Sequence, residues 1–151
     1  MLKALVVYHT QTKNTEKLAK VVKKGLEEAG VKVVFKKAYK AGLRDLLSCA
    51  GYCFASPDYF SYMAGALKDF FDRTCYPTEG KITGRPYVCI VSHGGDGRAV
   101  KSLLKMGRRF RLRLAAKPLL VEGRPRKSDL ERAIQLGRKL ARVIKKDEYS
   151  V

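Results

Sequence analysis

The sequence predicts a doubly wound α/β domain, with one five-stranded parallel sheet and helices on both faces. Three observations carry this expectation. Five short apolar runs alternate with stretches of helical periodicity, as in parallel strands joined by right-handed crossovers. The runs are apolar throughout instead of alternating with polar residues, as in strands covered on both faces. The segments after the first, third and fourth runs are rich in threonine, aromatic residues or glycine, and in such a sheet ligands bind beyond the carboxyl ends of the strands. The chain, residues 1–151, reads as a single domain without repeat, linker or low-complexity tract.

Each element has its own signal. Leu5-Val6-Val7, flanked by Ala4 and Tyr8, is a buried strand; the run from Leu2 is too short for the core of a signal peptide. From Thr15 to Ala29, Leu18, Val22, Leu26 and Ala29 recur at helical spacing, and Gly30 stands where a helix cap belongs. Val31 to Phe35 is β-branched and aromatic but runs into lysines, which suits an edge strand. A weak helix follows near Leu43 to Ser48, and Gly51 to Ala55 is a third strand that ends at Ser56-Pro57. Leu67, Phe70 and Phe71 share a face of a helix from about Met63 to Arg73. Tyr87 to Val91 is the fourth strand. Val100, Leu103, Leu104, Gly107 and Phe110 mark the next helix, and Pro118 to Val121 is a fifth, edge strand. Ser128-Asp129-Leu130-Glu131 reads as a capping box opening an amphipathic helix through Leu130, Ile134, Leu140 and Ile144.

Charge is the compositional outlier. The formal net charge is +18, and between Arg98 and Lys146 there are 17 Lys/Arg against Glu122, Asp129 and Glu131. Such a field favours anionic ligands, acidic protein partners or nucleic acid, although charge runs also mark plain solvated faces. No stretch approaches the roughly 18 apolar residues of a membrane span, and the composition suits a cytoplasmic protein. Cys49, Cys53, Cys75 and Cys89 have no metal-ligand spacing, and His9 and His93 lie far from them; Cys53 and Cys89 read as small buried hydrophobes.

Three loops carry the chemistry. In the first, His9-Thr10-Gln11-Thr12-Lys13-Asn14-Thr15, hydroxyls, an amide and the N–H groups of a helix start can wrap a phosphate. Lacking glycine, it is neither a Walker loop nor a dinucleotide fingerprint, and simple capping by Asn14 or Thr15 is the competing reading. In the second, Ser56-Pro57-Asp58-Tyr59-Phe60-Ser61-Tyr62-Met63, three aromatics could stack on a flat ligand, with Phe60 equally suited to the core. In the third, Ser92-His93-Gly94-Gly95-Asp96-Gly97, glycines allow backbone to approach a ligand closely.

Val6-Val7-Tyr8-x-Thr10-x-Thr12-x-Asn14-Thr15 and Ala55-Ser56-Pro57-x-Tyr59-Phe60 resemble the strand, phosphate loop and second loop of the flavodoxin family. Gly65-Ala66-Leu67-Lys68-Asp69-Phe70-Phe71-Asp72-Arg73 resembles a helix of flavodoxin-like flavin and quinone reductases. The resemblance implies strand order 2-1-3-4-5 and non-covalent FMN, its phosphate on Thr10, Thr12, Asn14 and Thr15 and its isoalloxazine between the second and third loops. It departs at Lys13, where the family has glycine, and in the third loop, where His93 and Asp96 replace acidic and aromatic residues. A basic surround is expected to make the reduced flavin less strongly reducing than in acidic relatives.

Three functions follow. One is an electron carrier between redox partners; another is an NAD(P)H-dependent reductase of flavins or quinones, in which a second subunit often completes the site. The third, from the basic segment Lys105 to Arg113, is a nucleic-acid-binding domain, against which stands the spread of basic residues over two helices on opposite faces. No catalytic acid or base and no metal site stands out; oligomeric state is open.

Overall fold

The computed structural model describes residues 2–150. The chain runs β1 (Lys3–Tyr8), α1 (Asn14–Glu28), β2 (Lys32–Lys37), α2 (Leu43–Ser48), β3 (Gly51–Tyr59), β4 (Tyr62–Met63), α3 (Gly65–Thr78), β5 (Pro86–His93), α4 (Ala99–Arg109), β6 (Arg113–Leu114), β7 (Leu119–Glu122) and α5 (Lys127–Glu148). Apolar runs become central strands because both sheet faces are roofed. On one face Leu5, Val7 and Phe54 pack under Leu46 of α2, Phe70 and Phe71 of α3 and Leu103 of α4. On the other, Val6, Cys53 and Ile90 meet Leu18, Val22 and Leu26 of α1 and Leu140 and Ile144 of α5.

The sheet order is β2-β1-β3-β5, parallel throughout, with β6 and β7 both paired to β5 at the far edge. This is the expected 2-1-3-4-5 arrangement with its fifth strand in two pieces. Arg113–Leu114 pairs with the start of β5 and Leu119–Glu122 with its end, so Pro118 lies just outside the strand it was expected to begin. A proline has no N–H for the ladder, and the break falls beside it. The third strand runs further than expected: Ser56 and Pro57 do not end it but pair with Val91 and Ser92.

Helix ends follow local chemistry. Gly30, at φ +86°, closes α1 in a Schellman turn: Val31 N–H donates to Leu26 O at 3.0 Å and Gly30 N–H to Glu27 O at 3.0 Å. At α5 the residue that caps is Asp129, not Ser128. Its buried carboxylate accepts the Arg126 N–H at 2.8 Å and pairs with Arg132, so the helix begins at Lys127. The Arg126 N–H, ahead of the flanking arginine charges, holds this carboxyl below its usual pKa. Helix α3 runs past the expected Arg73 to Thr78, and along this extension the hydroxyls of Thr74 and Thr78 donate back to Phe70 O and Thr74 O.

Helices α1 and α5 cross in backbone contact. A Cβ on Gly25 would lie 2.3 Å from Ile134 O, and one on Gly137 2.3 Å from Val22 O. This reciprocal pair sets the depth at which α5 closes over α1, the helix whose start lies at the carboxyl edge. Cys49, Cys53 and Cys89 are buried free thiols, and desolvation pushes Cys89 up to about 12.

Candidate functional site

Strands β1, β3 and β5 are neighbours and parallel, so their carboxyl ends bring all three sequence-nominated segments together on one edge. Each takes a different backbone form.

The first leaves β1 at His9 and turns into α1 through Lys13, which sits in the left-handed region at φ 72°, ψ −1°. A lysine there costs about 1 kcal/mol relative to a relaxed backbone. The turn is held from within, as Lys13 N–H donates to Thr10 Oγ1 at 2.9 Å. Lys13 is the N-cap, and no side chain caps α1. The plain capping role for Asn14 or Thr15 therefore falls. The opening N–H groups of α1, the exposed Thr12 and the buried Thr15 form a concentration of donors not used to end the helix.

The second segment is a tight hairpin. Asp58 and Tyr59 pair antiparallel with Met63 and Tyr62, leaving Phe60 and Ser61 as a two-residue turn at φ 57° and 63°. That is the geometry of a type I′ turn, which usually recruits asparagine and glycine. Three side chains hold it. Asp58 accepts Ser61 N–H at 2.9 Å and, through its other oxygen, the Ala99 N–H at the start of α4 at 3.0 Å. Ser102 Oγ accepts Met63 N–H at 3.0 Å and donates to Ala99 O. Ser56, fully buried, accepts Ala64 N–H at 2.9 Å and donates to Pro57 O. Ser56 and Asp58 are thus framework residues holding the hairpin to the domain, and Ser102 is a positioning residue with no motif to announce it.

Of the aromatics, Phe60 projects wholly into solvent, so its core alternative falls, and Tyr62 is exposed. Tyr59 is half-buried and meets the His9 imidazole edge to face at 5.9 Å, tying the first segment to the hairpin. Burial, then the nearby Lys37 charge, holds His9 below its ordinary pKa.

The third segment begins inside β5, which carries Ser92 and His93. Gly94, Gly95 and Asp96 are exposed; Asp96 pairs with Arg98 at 2.6 Å. Gly97, at φ 71°, lies against the His93 ring, and a Cβ there would meet His93 Cδ2 at 3.1 Å. His93 Nδ1 is the one buried side-chain nitrogen or oxygen among the described residues that lacks a hydrogen-bond partner. A buried polar atom left unpaired is costly, which points to a partner outside the protein. No group of three His, Cys, Asp or Glu able to hold a metal occurs among the described residues.

Comparison with known proteins gives a consistent picture. The chain is 32% identical over 162 residues to a flavodoxin of Aquifex aeolicus, covering 93% of this chain and 86% of that one. It is 27% identical to an uncharacterised protein of Methanocaldococcus jannaschii, of which the match spans 37%. Among solved structures, a flavodoxin from the domain Archaea superposes with a TM-score of 0.89 at 24% identity, over 95% of this chain and 99% of that one. Rubredoxin oxygen:oxidoreductase from Desulfovibrio gigas superposes at 0.87 with 17% identity, over 99% of this chain and 37% of that one. At such identities these structures speak for the fold. No family model matches the chain.

Proposed function

The chain belongs to the flavodoxin family, and from that membership we infer that it binds one FMN at the carboxyl edge and carries electrons between redox partners. The observation that carries the reading is the set of unused polar groups at that edge: an uncapped helix start ringed by hydroxyls, and a buried imidazole nitrogen without a partner. Their chemistry fits a phosphate at one end and a polar aromatic ring at the other. When bound, FMN supplies the electron-accepting and electron-donating centre.

The chain's own residues would do the holding. The N–H groups opening α1, with Thr10, Thr12, Asn14 and Thr15, would bind the phosphate, and the Lys13 ammonium would add charge. Tyr59, Tyr62 and the backbone of Gly94-Gly95 would orient the ring system, with His93 Nδ1 within the same wall. The hydrogen bonds of Asp58 and Ser102 keep the hairpin fixed, which limits reorganisation when an electron arrives. Redox partners follow from the family. Free thiols suit the reducing cytoplasm as its place of work, and no helix among the described residues is long and apolar enough to cross a membrane.

Nothing in the structure favours the reductase. The Gly65–Arg73 segment that suggested it places Leu67, Phe70 and Phe71 in the core and pairs Lys68 with Asp72 and Arg73 with Asp69, ordinary helix construction. The reading is tested by the absorption spectrum after FMN is added and free flavin removed, followed by anaerobic NADH and NADPH. A retained yellow chromophore, one per chain, that neither nucleotide bleaches is the expected result. A colourless protein overturns the cofactor, and rapid bleaching by a nucleotide moves the chain to the reductases.

Lys13 gives a sharper test. Glycine relieves the left-handed strain, so Lys13→Gly should raise the stability of the flavin-free protein by about 1 kcal/mol. It also removes the ammonium, so FMN affinity should fall about fivefold. Urea unfolding and flavin fluorescence titration read the two effects. Their opposite signs are the point, and a parallel change in both would sink the assignment.

A further inference from the structure

The positive charge is not distributed as a neutral coat would be. At the carboxyl edge, Lys13 after β1, Lys37 at the end of β2, Lys101 in the first turn of α4 and Arg124 beyond β7 are all exposed. None has a carboxylate partner among the described residues. Acids at the same edge are otherwise engaged. Asp58 is tied to two backbone N–H groups, Asp96 to Arg98 and the buried Asp129 to Arg132. Glu16, in the first turn of α1, accepts the Tyr8 hydroxyl, and Glu122 and Glu131 are the exposed acids left over. By strand order the Phe60 turn stands between Lys37 and Lys13 on one side and Lys101 and Arg124 on the other, with Phe60 102% exposed and both turn residues in costly left-handed conformations. An aromatic held in water by a strained, anchored turn, flanked by unpaired cations, has the make-up of a docking face: apolar centre, charged rim.

We propose that this edge docks an acidic redox protein, one whose carboxylates ring its own electron-transfer group. The proposal rests on the FMN reading and adds the kind of partner to it. In one encounter a single electron leaves the reduced partner and enters the bound flavin, with no bond made or broken; the reverse transfer uses the same contact. Opposite charge on the two rims raises the encounter rate, and the effect is screened as salt rises. A nucleic acid fits less well, because the remaining basic residues are spread over α1 and α5 on one sheet face, α4 on the other, and the strands and loops between them.

The test is stopped-flow mixing of the oxidised, FMN-loaded protein with a photochemically reduced acidic plant-type ferredoxin. Raising salt from about 20 to about 300 mM should slow the second-order reaction roughly tenfold. The triple variant Lys37→Gln, Lys101→Gln, Arg124→Gln should slow it roughly fivefold at low salt. FMN affinity, and re-oxidation of the reduced protein by neutral benzoquinone, should stay as in the parent. A rate insensitive to salt or to the triple substitution overturns the proposal. So does transfer from the reduced protein to the basic cytochrome c that slows as salt rises, since two basic faces should repel and react faster when screened. Tight binding of a short DNA duplex, lost in the same variant, would reassign the face to nucleic acid. Should the protein hold no FMN, the flavin reading fails by its spectrum alone. Titration calorimetry with the ferredoxin then reads the face separately, and absence of binding there overturns the docking as well.

Discussion

Gly137→Ala is expected to lower the stability of the fold by about 3 kcal/mol, although alanine is the better helix former by about 1 kcal/mol. The added methyl would sit 2.3 Å from Val22 O and 3.1 Å from Leu26 N. Both are backbone atoms of a continuous helix, so no rotamer change can clear them. Relief requires α5 to lift off α1 by most of an ångström, which loosens Leu18, Val22 and Leu26 against Leu140 and Ala141 together. Gly25→Ala meets the mirror obstacle, Ile134 O at 2.3 Å, and should cost a similar amount. Combined, the two should cost less than their sum, because one separation relieves both clashes. Gly65→Ala, in the first turn of α3 with open space around its Cβ, is the control and should stay within about 0.5 kcal/mol of the parent or above it. Thermal unfolding should place Gly137→Ala roughly 6–12 °C below the parent. A variant melting with the control would mean that the helices do not cross this closely.

That crossing was not legible in the sequence. Gly25 and Gly137 stand in two helices far apart in the chain, and nothing local distinguishes a glycine at a crossing from a glycine on a surface. What could be read was one-dimensional: apolar runs that must be buried twice over, helical stripes, and the cap at Gly30. These gave the layers and, through the family resemblance, the order of the strands. The misreadings share a cause. Pro57 looked like the end of a strand because proline lacks an N–H, yet pairing of Ser56 and Pro57 with β5 carries β3 onward into the hairpin. Phe60-Ser61 carries no turn signature; Asp58 and Ser102 hold it there through contacts spanning about forty residues of sequence.

The site divides along the same line. The threonines and asparagine of the first loop stood out because they exceed what a helix cap needs, and the absence of a side-chain cap in the structure supports that excess. Ser56 and Asp58 have the same polar character but are engaged inward, and only the fold separates the two cases. Charge behaved likewise. The excess of lysine and arginine was plain from a count, but which cations lack partners at the carboxyl edge depends on where Asp58, Asp96 and Asp129 turn.

Thr12→Val with Thr15→Val should weaken FMN binding about a thousandfold, since a hydrogen bond to a charged group contributes about 1.5–3 kcal/mol and two are removed. Valine keeps the shape and β-branching, and neither hydroxyl holds the turn together: that role belongs to Thr10, which accepts the Lys13 N–H. Thr15 is buried, so its hydroxyl has little access to bulk water and its loss is not made good by solvent. The decisive comparison is with riboflavin, which carries the same ring system without the phosphate. If these hydroxyls face the phosphate, riboflavin affinity should change less than about threefold while FMN affinity collapses. Fluorescence titration of both flavins reads the difference directly. Equal losses for the two would mean that the substitutions disturb the ring end or the fold. No loss for either would place the phosphate somewhere other than the start of α1. The electrostatic logic adds a second signature: the parent's preference for FMN over riboflavin should shrink with added salt, and in the double variant most of that preference should be gone at every salt concentration.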